Sequence, residues 1–209
     1  MQFGVDEAGK GPVLGSMFAA CVRGDPADLP DGVADSKRLS SARREELDTA
    51  IRDSCEVGVA EISVDRIDGE EDMNTLTVTA HADAIDAGAR DGDAGLCDAG
   101  DTSEARFARR VAEACERAVE VDARHRADAD DPLVAAASIV AKVARDTHVA
   151  RLAGEYGEVG SGYPSDSTTR TFLREYVAEH GTLPACARSS WKTSEDVLAA
   201  AEQSALDRF

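Results

Sequence analysis

The sequence predicts an α/β fold with a helical carboxyl-terminal part. Three observations carry this. Runs of strand length, apolar or alternating, are interleaved with segments whose apolar residues recur at helical spacing. The last strand-like run ends near Asp122, and only helical patterns follow it. Hydrophobic residues make up 43% of the 209, enough for one domain with a buried core and too many for an acidic disordered chain.

Residues 2–6 read as the first strand, followed by Asp6-Glu7 and the loop Gly9-Lys10-Gly11-Pro12. Leu14 to Val22 is apolar and small, and is expected to pair with the first strand across a Gly9–Pro12 turn. A polar loop from Gly24 to Asp31 leads to Ala34-Asp35-Ser36-Lys37. Ser40 is a suitable N-cap for a helix with Leu47, Ile51 and Cys55 on one face. Val57 to Val64 alternates as a strand, and Asn74 to Ala87 reads as a helix. The Gly/Asp-rich stretch 86–101 leaves only Leu96-Cys97 as a short buried strand. Asp101 and Glu104 have capping-box spacing before an amphipathic helix marked by Phe107, Val111, Ala114, Cys115 and Ala118. That gives Asp101 a structural task and leaves Asp98 free for chemistry, with Asp91 and Asp93 as solvated loop residues.

Val119 to Asp122 follows as a strand, then an acidic turn from Ala127 to Asp131. Asp131-Pro132 pairs an N-cap with proline at the first helical position. The helix it starts is apolar nearly all round to about Ala144, hence buried, with Ser138 and Lys142 at i, i+4. Those two read equally well as a hydroxyl bonded to its own helix and a snorkelling lysine. Gly157 to Ser165 is a loop presenting Tyr163, Thr168 to Glu179 a helix, Trp191-Lys192-Thr193 a loop, and a final helix begins at Ser194.

The net charge of −18 argues, taken alone, against a polyanionic partner. Only four of the 23 basic residues are lysine, a balance suited to a salt-filled cytoplasm, where a Debye length of roughly 3 Å at 1 M screens the acidic shell. Lys10, Lys37, Lys142 and Lys192 then stand out as candidates for tasks a guanidinium cannot perform. The five cysteines and four histidines are scattered without metal-ligand spacing. No run of about 18 apolar residues occurs and Met1–Asp6 lacks signal-peptide character, so a soluble, cytoplasmic protein is expected. Asp6 and Glu7 point to opposite faces of any regular strand, and can share an ion only where the strand ends and the backbone turns. In isolation such a pair reads as solvated surface.

The ordered set of motifs changes that reading. Gly4-Val5-Asp6-Glu7-Ala8-Gly9-Lys10-Gly11-Pro12, Asp35-Ser36-Lys37, Asp98 before a helix, Ala127-Asp128, Leu133 to Val143, Gly160-Ser161-Gly162-Tyr163 and Trp191-Lys192-Thr193 span nearly the whole chain. Together they resemble ribonuclease HII, most closely its archaeal form. The resemblance implies a ribonuclease H-like fold, a five-stranded mixed β-sheet flanked by helices with a helical C-terminal extension. It divides the single domain into a catalytic core of roughly residues 1–150, a helical part over 151–202 and a tail over 203–209. It implies an endonuclease that hydrolyses RNA in RNA–DNA hybrids and nicks 5′ of ribonucleotides embedded in duplex DNA. Asp6, Glu7, Asp98 and Asp128 become the catalytic acids, holding two Mg²⁺ or Mn²⁺ ions and leaving 5′-phosphate and 3′-hydroxyl ends. Gly9, Lys10 and Gly11 would read the ribose 2′-hydroxyl and Tyr163 would stack on the adjoining sugar, while Lys37, Ser138 and Lys142 would touch phosphates. At Asp98 the preceding strand is shorter and less apolar than the family's.

The tail Gln203-Ser204-Ala205-Leu206-Asp207-Arg208-Phe209 fits Gln-x-x-Leu-x-x-Phe, which resembles the sliding-clamp (PCNA) binding box of archaeal members. The resemblance implies that Gln203, Leu206 and Phe209 bind the clamp and that the protein is a monomer. Two rivals stay open at this point: another two-metal nuclease of the same fold, and a non-catalytic nucleic-acid or clamp-binding adaptor.

Overall fold

The computed structural model describes residues 1–33 and 39–206. Lys37, with its Asp35-Ser36-Lys37 motif, and Phe209 lie outside the described residues. Five strands form one sheet: β1 Gln2–Ala8, β2 Met17–Gly24, β3 Glu56–Ile62, β4 Ala94–Asp98 and β5 Glu120–Arg124. Their order is β3-β2-β1-β4-β5. β1 pairs antiparallel with β2, and β2 with β3, whereas β4 runs parallel to β1 and β5 parallel to β4. The helices are α1 Ser41–Ser54, α2 Val64–Ile67, α3 Met73–Gly88, α4 Glu104–Ala114, α5 Pro132–Tyr156, α6 Ser167–His180 and α7 Lys192–Leu206. No helix among the described residues is long and apolar enough to cross a membrane.

The chain forms two compact units. The first comprises residues 1–10, 17–62 and 72–145, and holds the sheet. Strand alternation sorts its contacts. Gly4, Asp6, Ala20 and Val22 share one face, because Gly4 pairs with Val22 and Asp6 with Ala20. Ala20 and Val22 pack there with Leu47 and Ile51 of α1 and with Leu133 to Ala141 of α5. The approach of α5 is so close that a Cβ on Gly4 would sit 2.2 Å from the Val134 backbone nitrogen. The residues between these face the other way, towards α3, where a Cβ on Gly88 would come within 3.3 Å of the Cys21 carbonyl.

The second unit comprises residues 11–16, 63–71 and those from Asp146 onward. Its core joins Val13, Leu14 and Val159 to Phe172, Leu173 and Val177 of α6 and to Val197 of α7. The segment 11–16 is tied in by backbone hydrogen bonds. The N–H groups of Val13 and Leu14 donate to the Gly162 carbonyl at 2.8 and 3.2 Å, and the Arg188 N–H to the Val13 carbonyl at 2.8 Å. Asp68 accepts from the N–H and hydroxyl groups of both Ser189 and Ser190.

Several expectations need correction. β2 starts at Met17 rather than Leu14, and Gly9–Pro12 is no hairpin turn, since residues 11–16 bond instead to segments around 162 and 187. Asp101 does not cap α4. Ser103 does, with its side chain accepting from the Arg106 N–H, because the Asp101 carboxylate is taken by the Arg106 guanidinium and the Thr102 N–H. Asp93 is buried rather than solvated, paired with Arg23. Ala118 falls beyond α4, and α5 continues well past Ala144 to Tyr156. α7 begins at Lys192, which places Lys192 and Thr193 in its first turn rather than in a loop. Lys192 is exposed and spent on an ion pair with Asp196 one turn along.

Candidate active site

The four acids named from the sequence come from the ends of two adjacent parallel strands and a single turn of 3-10 helix. Asp6 and Glu7 lie within β1, not beyond its end, and remain paired with Ala20 and Ala19 of β2. The parallel pairing with β4 stops at Val5 opposite Cys97, so Asp6 and Asp98 follow one step later as neighbours on the same face. Asp128 sits in the 3-10 turn Ala127–Ala129, entered through Arg126 at φ 58°, the one non-glycine residue with positive φ among those described. That turn is held against the end of β4, where the Ala127 N–H donates to Asp98 Oδ1 at 3.0 Å.

Alternation within β1 is kept, so the two adjacent carboxylates are gripped from opposite sides. Asp6, on the α5 face, is 6% exposed and hydrogen-bonded to Ser138. Lys142 Nζ donates to Ser138 Oγ at 2.8 Å, forming a chain from lysine through hydroxyl to carboxylate. Glu7, on the α3 face, takes His81 Nε2 at 2.8 Å on its Oε2. Lys10 Nζ donates to the Gly100 carbonyl at 2.9 Å, beside the end of β4. Gly9 has φ 92°, a left-handed conformation that a side chain would strain.

Charge is concentrated here. Burial pushes the Asp6 carboxyl well above the usual range, and the neighbouring charges of Glu7 and Asp98 add to it, with the Ser138 hydrogen bond opposing. Asp98 is raised by burial and by the charges of Asp128 and Glu7, against the hydrogen bond from Ala127. Burial would raise Glu7 too, but the His81 hydrogen bond and the Lys10 ammonium outweigh it and leave Glu7 lowered. Asp128 is 7% exposed.

Among the described residues, no three acidic, imidazole or thiol groups close into a preformed metal cage. The donor set is an open array of carboxylate oxygens. That chemistry fits a hard divalent cation, which uses a few carboxylates and completes its shell with water and substrate phosphate.

The remaining residues fall as follows. Tyr163 is 39% exposed in the loop between α5 and α6. A Cβ on Gly11 would stand 3.9 Å from the Tyr163 ring, so these two share one local surface of the second unit. Ser138 is fully buried and Lys142 partly so. Gln203 is exposed near the end of α7, and Leu206 is the last helical residue. His81 is the residue that sequence reasoning missed. Its signal was modest: a lone imidazole in the small, otherwise apolar stretch Ala80-His81-Ala82 of a predicted helix.

A family model described as Ribonuclease HII matches residues 3–194. The chain belongs to the ribonuclease HII family. The ribonuclease HII of Haloarcula marismortui is 67% identical over 211 residues, covering all of both chains. The crystal structure of the ribonuclease H2 from Pyrococcus horikoshii OT3 superposes with a TM-score of 0.90 at 34% identity, over 97% of this chain and 99% of that one. A PCNA:RNase HII complex from Archaeoglobus fulgidus gives 0.83 at 38% identity, over 94% and 96%. Full-length matches at this level carry ribonuclease HII activity to this chain, an endonuclease for RNA in RNA–DNA hybrids. They also bear out the ribonuclease H-like fold with its five-stranded mixed sheet.

Proposed function

We propose that Asp6, Glu7, Asp98 and Asp128 hold two divalent cations, Mg²⁺ or Mn²⁺, and that this centre cuts the strand on the 5′ side of a ribonucleotide. The observation that carries it is the placement of Asp6 and Asp98 one step beyond the paired Val5 and Cys97 of two adjacent parallel strands. Burial raises both carboxyls and neighbouring carboxylates add to it, an arrangement that a bound cation relieves. Two such ions supply an activated water and a stabilised leaving oxygen for in-line displacement, which yields 5′-phosphate and 3′-hydroxyl ends.

The chain's own residues prepare that chemistry. Ser138 fixes one rotamer of Asp6, and Lys142 orients the Ser138 hydroxyl. The Ala127 and Arg126 N–H groups hold the Asp98 carboxylate at the end of β4. Lys10 is anchored on Gly100 with its charge beside the acids, where it can meet a scissile phosphate. Gly9 and Gly11 let backbone approach the ribose, whose 2′-hydroxyl distinguishes RNA from DNA at a given site. Tyr163 offers an exposed ring for the adjoining sugar. Lys37, Ser138 and Lys142 are assigned to phosphates by the family resemblance, Ser138 from a fully buried position. Gln203, Leu206 and Phe209 form the clamp-binding tail, a reading supported by the PCNA:RNase HII complex of a 38% identical relative.

The test is cleavage of a DNA duplex with one embedded ribonucleotide, in molar KCl with Mg²⁺ or Mn²⁺. Wild type is expected to nick on the 5′ side and to be silent in chelator. Asp6→Asn is expected to lose cleavage by at least about 10²-fold while still binding an RNA–DNA hybrid. An active Asp6→Asn variant removes the assignment.

A further inference from the structure

His81 of α3 is fully buried, with its ring edge-on to Phe107 at a centroid separation of 5.1 Å. Its Nε2 lies 2.8 Å from Glu7 Oε2, and its Nδ1 is buried with no hydrogen-bond partner. A carboxylate only accepts, so Nε2 carries the proton in that bond. A buried nitrogen left unsatisfied costs free energy, on the order of 1–3 kcal/mol. Packing alone does not explain such a ring, because an apolar side chain of similar size would fill the space without that cost. What the imidazole adds is the tether on Glu7.

The other oxygen of Glu7 is oriented in turn. Glu7 Oε1 faces Gly100, where a Cβ would lie 3.6 Å from that oxygen and only 2.7 Å from the Thr77 methyl group. Glu7 is also the acid that strand alternation turns away from Asp6 and Ser138. Without a contact from α3, its carboxylate could rotate off the end of β1.

We propose that His81 is a positioning residue of the nuclease, whose Nε2–H holds Glu7 Oε2 so that Glu7 presents Oε1 alone to a divalent cation. The inference rests on the assignment of Glu7 as a metal ligand. A carboxylate fixed in advance loses less rotamer freedom when the ion arrives, and partners that orient metal ligands typically account for about 10–100-fold in affinity.

The experiment measures Mn²⁺ affinity without substrate, by titration calorimetry and by the free-ion EPR signal, in wild type, Asp6→Asn, His81→Leu and His81→Gln. His81→Leu is expected to weaken Mn²⁺ binding about tenfold or more. His81→Gln, whose amide N–H can still donate to Oε2, is expected to recover most of it. kcat on a hybrid should follow the same order while KM stays put. If Asp6→Asn weakens binding but the leucine variant does not, or glutamine and leucine are equivalent, the role of His81 is overturned and the metal site stands. If Asp6→Asn itself binds Mn²⁺ like wild type, the metal assignment falls and this inference with it. Circular dichroism checks each fold, and His81→Met supplies the apolar arm should the leucine variant not fold.

Discussion

Asp93 is buried beside Arg23, whose Nε donates to it at 2.5 Å, and it accepts a further hydrogen bond from the Arg90 N–H at 2.8 Å. Burial alone would raise its carboxyl, but these donors hold it down at about 2. Asp6 and Asp98 are the same residue type with the opposite outcome, because burial raises them and the neighbouring carboxylates add to it rather than oppose it. In a chain this rich in acids, a guanidinium partner marks a structural carboxylate, and like-charge neighbours mark a candidate ligand. The pH dependence follows with a definite sign. Asp93 is lowered relative to its unfolded value of 3.8, so its stabilisation is present above that value and is lost as pH falls through it towards about 2. Asp93→Asn is therefore expected to lower the urea midpoint at pH 7 and to differ progressively less from wild type between pH 4 and 2 (roughly the span of the two values). A gap that stays constant over that range would show that the charge of Asp93 is not what stabilises.

At the scale of elements, the seating of α5 on β1 decides where Asp6 meets Ser138. Gly4 lies two residues before Asp6 on the same face, and a Cβ there would be 2.2 Å from Val134 N and 2.3 Å from the Leu133 carbonyl carbon. Both obstacles are backbone, so neither can rotate away. Gly4→Ala is expected to destabilise by about 1–3 kcal/mol or more through forced displacement of α5. Cleavage should fall too, even in conditions where the variant stays folded, as the Ser138–Asp6 contact shifts. Urea unfolding with kcat on the same preparation checks both, and unchanged stability would mean α5 is loosely seated.

The start of this helix was legible from Asp131-Pro132, since the cap is local chemistry: Asp131 accepts from the Leu133 and Val134 N–H groups. Ser40 was legible for the same reason. The stretch 9–16 was not, because its partners at Gly162, Cys186 and Arg188 are some 150 residues away. Asp101 was misread because a guanidinium five residues on outcompeted the capping geometry. The candidate acids were singled out through ordered motifs, whereas the His81–Glu7 contact joins positions 74 apart and leaves no local pattern.

For the molecule as a whole, a net charge of −18 must be reconciled with a nucleic-acid substrate and with the fold's own stability. Acidic residues number 41 against 23 basic ones, so unscreened repulsion opposes compaction. At 0.1 M salt the Debye length is about 10 Å, long enough for neighbouring surface carboxylates to repel; near 1 M it is about 3 Å, shorter than most of their separations. The same screening lets a polyanion approach, and leaves the proposed short-range contacts, Lys10 among them, to recognise it. Stability is therefore expected to rise steeply with ionic strength. The melting temperature of metal-free protein should increase from about 0.1 to about 1 M KCl, with NaCl at equal strength giving a similar gain, as screening depends on ion concentration. Added Mn²⁺ should raise it further at either salt level by binding the folded state, and Asp6→Asn should lose that increment while keeping the salt dependence. A melting temperature flat in KCl would show that surface repulsion is already relieved within the fold, and that the acidic composition serves solubility alone.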